Sequence, residues 1–236
     1  MISGAMGRAL RILSVAMITA GLVILADAAI TLAWKEPLSA IYSSFKQRAA
    51  DDQLETAKRD FLADPEVLRL GSTDDLRERV GELADLYEKG LENGDPFGRI
   101  VIPSIGADYV VIQGTDTADL QKGPGHYPTS AFPGQGRTVA IAGHRTTYGA
   151  PFNQIDKIEE GDEITLEMPY ADVVYEVTGT RIVEPDDVGI VDDTGSERLV
   201  LTACHPLYSA AQRYAVFAEP SDISLFPGGE GRWPAP

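Results

Sequence analysis

The sequence predicts a mostly β domain, a closed barrel or a sandwich, preceded by an apolar N-terminal helix and a polar helical stalk. Three observations carry this expectation. From Phe97 onward, short runs rich in Val, Ile, Tyr and Thr alternate with Gly, Pro and Asp, with little helical pattern between them. Ile12 to Trp34 is an apolar stretch broken only by Asp27. The residues between these two parts are polar and helix-forming, and the 236-residue total then leaves room for one β domain.

The apolar stretch comes first. As a helix rising about 1.5 Å per residue it would be about 34 Å long, enough to cross a bilayer. Arg8 and Arg11 precede it with no acidic residue among them. The positive-inside rule therefore predicts a cytoplasmic N-terminus, with everything after Lys35 outside the cell. Asp27 falls toward the outer end, where a charge costs less than at the bilayer centre. Two other readings exist: the h-region of a signal peptide ending at the A-x-A sequence Ala26-Asp27-Ala28, or a buried core helix. The apolar run resumes past Ala28 and ends at the interfacial pair Trp34-Lys35, which favours an uncleaved anchor.

The next segment reads as helix. Ser72 to Asp75 forms an S-x-x-D capping pattern, after which Leu76, Val80, Leu83 and Tyr87 share one helical face up to a stop at Asn93-Gly94. Lys46 to Arg59 is highly charged with weak periodicity, the pattern of a solvated stalk helix, and Asp64-Pro65 predicts a break. The strand candidates then follow in order: "FGRIVIP", "DYVVIQG", "RTVAIAGH", "DEITLEM", "VVYEVTGTRIV", "RLVLTAC" and "RYAVFAE". "FNQIDKI" offers the only short helix between them, and the tail "FPGGEGRWPAP" is predicted to be irregular.

Composition narrows the chemistry. A formal net charge of −16 repels phosphate backbones, which argues against nucleic-acid binding. The acid is spread along the chain as a solvated surface. Cys204, the only cysteine, closes the strand candidate "RLVLTAC". An unpaired thiol in an oxidising exterior is a liability, so its presence suggests use, although a buried cysteine can also serve as a small apolar residue. Arg213 opens the next strand, and a hairpin would bring its guanidinium near Cys204, where it would favour a thiolate and donate to an oxyanion. The partner base is one of His126, His144 and His205. His205 is disfavoured because neighbours on extended backbone face opposite ways. His144, at a strand end, is placed ahead of His126, which lies in the turn-rich "GPGHYP". No His/Cys spacing suggests zinc, and Glu184, Asp186, Asp187, Asp192 and Asp193 lack the order of a calcium loop and read as a solvated turn.

These stretches resemble the sortase family. "VLTACHPLYSAAQR" is similar to the signature T-L-x-T-C followed by a downstream arginine, "AIAGHRTTYGAPF" to the segment carrying the sortase histidine, and "GRIVIPSIGADYVVIQGT" to the two opening strands. Sortases are membrane-anchored cysteine transpeptidases of Gram-positive bacteria, so the resemblance implies a closed eight-stranded sortase-type β-barrel. It implies Cys204 as nucleophile, His144 as acid/base and Arg213 as the oxyanion-stabilising or substrate-positioning group. It further implies Tyr127, Thr202 and Ala203 as substrate contacts, with neither cofactor nor metal. Val200 and Ala203 depart from the signature, standing where the family usually has threonine.

The stretch from Gly123 to Phe152 is most similar to class E sortases of high-GC actinobacteria. Asp95-Pro96-Phe97 echoes the lid motif of pilus-building class C enzymes but runs directly into the first strand. The implied partners are secreted proteins bearing an L-A-x-T-G or L-P-x-T-G sorting signal, and a cell-wall precursor amine of the lipid II type. The expected organisation is a cytoplasmic N-terminus (1–11), a transmembrane anchor (12–34), an extracellular helical stalk (35–94) and a catalytic domain (95–236). The alternatives are a silent sortase-fold wall-binding or scaffold module, a class C enzyme, and a cysteine hydrolase that uses water as acceptor.

Overall fold

The computed structural model describes residues 2–34, 37–70, 75–226 and 230–232. Helix α1 (Ile2–Trp34) contains the segment Gly7–Ala29, long and apolar enough to cross a membrane and not buried against the rest of the protein. Lys35 of the interfacial pair lies outside the described residues.

Helix α2 (Pro37–Ala63) ends at Asp64, whose side chain accepts from Glu66 N at 2.7 Å and starts α3 (Pro65–Leu70). Asp64-Pro65 is thus the expected break. Helix α4 (Leu76–Lys89) is capped by Asp75, which accepts from the backbone of Arg77 and Glu78. The cap is therefore Asp75 itself; Ser72 lies outside the described residues.

The helical segment does not stand apart as a stalk. Val67 of α3 and Val80, Leu83, Ala84 and Tyr87 of α4 belong to the main core, and Phe61 of α2 packs edge-on against Tyr87 with ring centroids 5.4 Å apart. Ala50 and Leu54 of α2 pack on Val110 and Ile112 of the barrel. The charged sequence obscured this contact because the buried stripe of α2 begins with Ser43 and Gln47, which bury little apolar surface.

Nine strands are present among the described residues: β1 (Pro96–Ile102), β2 (Ala107–Gln113), β3 (Gly125–His126), β4 (Thr138–Gly143), β5 (Glu163–Glu167), β6 (Ala171–Val183), β7 (Arg198–His205), β8 (Gln212–Leu225) and β9 (Glu230–Arg232). Eight of them, in the order β6-β5-β1-β2-β3-β4-β7-β8, close into a barrel through the β6–β8 pairing. β9 is added to the end of β8, so part of the tail read as irregular is strand. Pro220 sits inside β8 where the register against β6 shifts, and a bulge tolerates its missing donor.

The functional region depends on two pairings. β4 runs parallel to β7 from Thr138↔Arg198 to Gly143↔Ala203, and β7 forms the predicted hairpin with β8, with Cys204 opposite Arg213. Side chains alternate as the pleat requires. Val139 and Ile141 of β4, Leu199, Leu201 and Ala203 of β7, and Val216 and Ala218 of β8 fill the interior. The "FNQIDKI" segment supplies a single 3₁₀ turn at Ile155–Lys157. A further helical turn, α5 (Thr117–Leu120), lies between β2 and β3.

Candidate active site

The alternation decides which residues share the outer face. On β7, Ala203 points into the core, so Thr202 and Cys204 face out. On β8, Val216 is internal, so Ala215 and Arg213 face out. On β4, Ile141 is internal, and one more step past Gly143 returns His144 to the outside. Cys204 and Arg213 therefore share one outer face on the adjacent strands β7 and β8, and His144, one residue past the end of β4, continues onto the same face.

Each is partly buried. Arg213 Nη1 donates to the carbonyls of Ala210 and Gln212, both at 3.0 Å, so the hairpin loop holds the guanidinium. No carboxylate pairs with it among the described residues, which leaves its charge for an incoming anion. Burial holds the His144 imidazole below the ordinary histidine pKa, favouring the neutral ring. Its Nε2 is buried without a hydrogen-bond partner among the described residues. The ring leans on Tyr148, centroids 5.3 Å apart, and Tyr148 N donates to Ser39 Oγ of α2 at 3.2 Å. The backbone at His144 is pinned as well: its carbonyl accepts from Phe152 N at 3.0 Å. The Phe152 ring lies under the end of β4, where any side chain larger than Gly143 would overlap it.

The other histidines have different surroundings. His126 is fully buried, stacked on Phe97 with centroids 4.0 Å apart; its Nδ1 lies 2.7 Å from Gln113 Oε1 and its Nε2 2.9 Å from the Ala131 carbonyl. Desolvation pushes its pKa down to about 4, so it is a neutral core residue. His205 follows Cys204 but turns to the other side of the strand, where its Nδ1 accepts from Arg145 Nη1 at 3.0 Å. Phe97, the aromatic of the lid-like tripeptide, is buried in β1 and belongs to the core, against His126 and Phe132.

The residues expected to touch substrate separate. Tyr127 OH lies 3.1 Å from Thr202 Oγ1, joining the loop after β3 to the strand of Cys204. Ala203 is buried in the core, turned away from the face that carries Cys204. Among the described residues, no group of His, Cys, Asp or Glu is arranged to hold a metal ion. Sequence reasoning missed Arg145 and Tyr148, both within the histidine segment; the signal available for Arg145 was its place one alternation step from His144.

The architecture has counterparts among known proteins. Residues 100–221 match the Sortase domain family model. The chain is 35% identical over 132 residues to sortase D of Bacillus subtilis, covering 54% of this chain and 65% of that protein. It is 29% identical over 234 residues to sortase SrtE2 of Streptomyces coelicolor, covering 90% of this chain and 82% of that one. The solved structure of sortase E from Streptomyces avermitilis superposes with a TM-score of 0.53 at 34% identity, covering 57% of this chain and 93% of that chain.

Proposed function

Because the chain belongs to the sortase family, whose members are cysteine transpeptidases, we propose that it is a class E-like sortase joining secreted proteins to the cell wall. One observation carries the reading: Cys204 lies directly opposite Arg213 on the outer face of β7 and β8, and His144 follows the end of the neighbouring β4 on the same face. The substrate is a C-terminal signal of the L-A-x-T-G type. Cys204 Sγ attacks the threonine carbonyl while the neutral His144 imidazole takes the thiol proton. The C–N bond to glycine then breaks, and His144 passes that proton to the departing amine. The threonine stays on Cys204 as a thioester. A wall-precursor amine of the lipid II type attacks the thioester, loses a proton to His144 and regenerates the thiol. Arg213 offsets the negative charge on the carbonyl oxygen at each tetrahedral stage.

Helix α1 anchors the enzyme, with Arg8 and Arg11 on the cytoplasmic side and residues 35–236 outside. Full-length protein in detergent, given a fluorogenic L-A-x-T-G peptide with and without an added amine, tests the chemistry. A transpeptidase forms the amine adduct. Peptide hydrolysis that ignores amine indicates a hydrolase, and no turnover with retained binding indicates a silent module. On intact cells a C-terminal tag should be cut by external protease while the chain stays in the membrane fraction. Release into the medium would replace the anchor with a signal peptide.

A further inference from the structure

We propose that Arg145 and His205 form a positioning clamp that sets the spacing and orientation of His144 relative to Cys204. The proposal rests on reading those two residues as acid/base and nucleophile. The last backbone rung between β4 and β7 is Gly143↔Ala203. His144 and Cys204 lie one step beyond it, where β4 has already ended. Cys204 is still held by the β7–β8 ladder, but His144 must act from a position that no ladder holds.

Continuing the register aligns His144 with Cys204 and Arg145 with His205. The second of these pairs is closed by a side-chain bond, Arg145 Nη1 to His205 Nδ1 at 3.0 Å, between residues 60 apart in sequence. His205 is still on β7, so the pleat turns its side chain, and with it this bond, away from the face that carries Cys204 and leaves the reacting groups unobstructed.

The guanidinium is itself immobilised. Arg145 is 5% exposed; its Nη2 pairs with Asp156 at 2.7 Å, and its Nε donates to the Asn153 carbonyl at 3.3 Å. Asn153 Nδ2 donates back to the Arg145 carbonyl at 2.8 Å. A buried charge is costly unless paired and hydrogen-bonded, and a planar fork meets three partners at once where a lysine ammonium would not. On the other side the His205 ring rests against Tyr214, centroids 5.8 Å apart, whose hydroxyl donates to Thr180 Oγ1 at 3.2 Å. A guanidinium can only donate, so His205 must present a lone pair at Nδ1 and carry its proton on Nε2. That requirement makes His205 a positioning residue.

The test uses the full-length chain with the fluorogenic signal peptide and amine. Asparagine places Oδ1 close to the Nδ1 position, so His205→Asn should recover most of kcat. His205→Leu and Arg145→Met should each lower kcat by about 10²-fold, the scale expected for a small misplacement of reacting groups, with KM little changed. The double variant should be no worse than either single one, because both remove the same bond. Melting temperatures of the two His205 variants should stay near wild type, whereas Arg145→Met also loses the Asp156 ion pair and should melt lower. Should Arg145→Met fail to fold, the comparison of His205→Asn with His205→Leu, at a partly exposed position, decides the question. Turnover by Cys204→Ala would overturn the catalytic reading and the clamp together. An inert Cys204→Ala with wild-type kcat in His205→Leu, or with His205→Asn as impaired as His205→Leu, would overturn the clamp alone.

Discussion

At the scale of single residues, chemistry and folding separate because the proposed reacting groups lie on the outer face of the barrel and not in its core. Cys204→Ala is expected to abolish cleavage and to prevent any acyl adduct visible by mass spectrometry. His144→Ala should cost about 10²–10⁴-fold in kcat, the usual worth of acid–base help. Arg213→Ala should cost about 10²–10³-fold as a lost oxyanion donor, and Arg213→Lys should remain impaired because an ammonium lacks the planar fork. All four should melt close to wild type. Tyr127 carries a separate prediction. Its hydroxyl lies 3.1 Å from that of Thr202, one residue removed from Cys204's neighbour Ala203. Tyr127→Phe leaves the buried Thr202 hydroxyl short of a partner. The ratio of kcat/KM for L-A-x-T-G against L-P-x-T-G peptides should then shift, and an unchanged ratio would remove Tyr127 from substrate selection.

At the scale of elements, α2 shows how a polar helix can be structural. Gln47 Nε2 donates to the carbonyls of Val110 and Lys122, both at 2.9 Å, and its Oε1 accepts from Val110 N at 2.8 Å. One side chain thereby stands in for a neighbouring strand along the edge of β2 that β3 does not reach. Arg99 of β1 adds ion pairs to Asp51 of α2 and Asp108 of β2. Gln47→Leu keeps the bulk but leaves the buried amide and carbonyl of Val110 unpaired. The expected loss is about 1–3 kcal/mol per orphaned group, read from urea unfolding of the full chain. A variant as stable as wild type would mean that α2 is held by its apolar contacts through Ala50, Leu54 and Phe61 and by the Asp51 ion pair, without Gln47. The docked helix also reaches the proposed site, since Ser39 binds the Tyr148 backbone.

At the scale of the whole molecule, two buried groups give stability an opposed pH dependence. His126 has its pKa pushed down to about 4, below the ordinary value, so the unfolded chain binds its proton more readily and stability falls as pH drops from about 6.5 toward 4. Glu197 is the reverse case. Its carboxylate accepts from Gly134 N, Gly136 N and Tyr175 OH, yet burial pushes its pKa up to about 7. The folded chain therefore binds this proton more tightly, and stability rises as pH falls from about 7 toward 4.5. Between pH 6.5 and 4.5 the two slopes oppose each other. Glu197→Gln removes one of them, so it should lose about 2 kcal/mol more than wild type across that window, on the scale of 1.36 kcal/mol per pKa unit. Urea titrations at several pH values measure this directly, and parallel curves would contradict it.

What the sequence determined by itself was local. The β-rich runs, the apolar span, the Asp64-Pro65 break and the β7–β8 hairpin follow from periodicity, turn residues and short loops, which a chain carries in neighbouring residues. The hairpin already set Cys204 against Arg213. The rest was decided by distant contacts. β3 has two residues and no periodic pattern, and exists because β2 and β4 bracket it. The packing of α2 rests on a glutamine whose partners lie 63 and 75 residues away. His144 is brought level with Cys204 only by a parallel ladder between strands 60 residues apart that ends one residue before them, and Arg145 becomes legible only once that ladder has set its register. Such pairings depend on which arrangement buries the most apolar surface with every backbone group satisfied, a property of the closed barrel and of no single stretch of the chain.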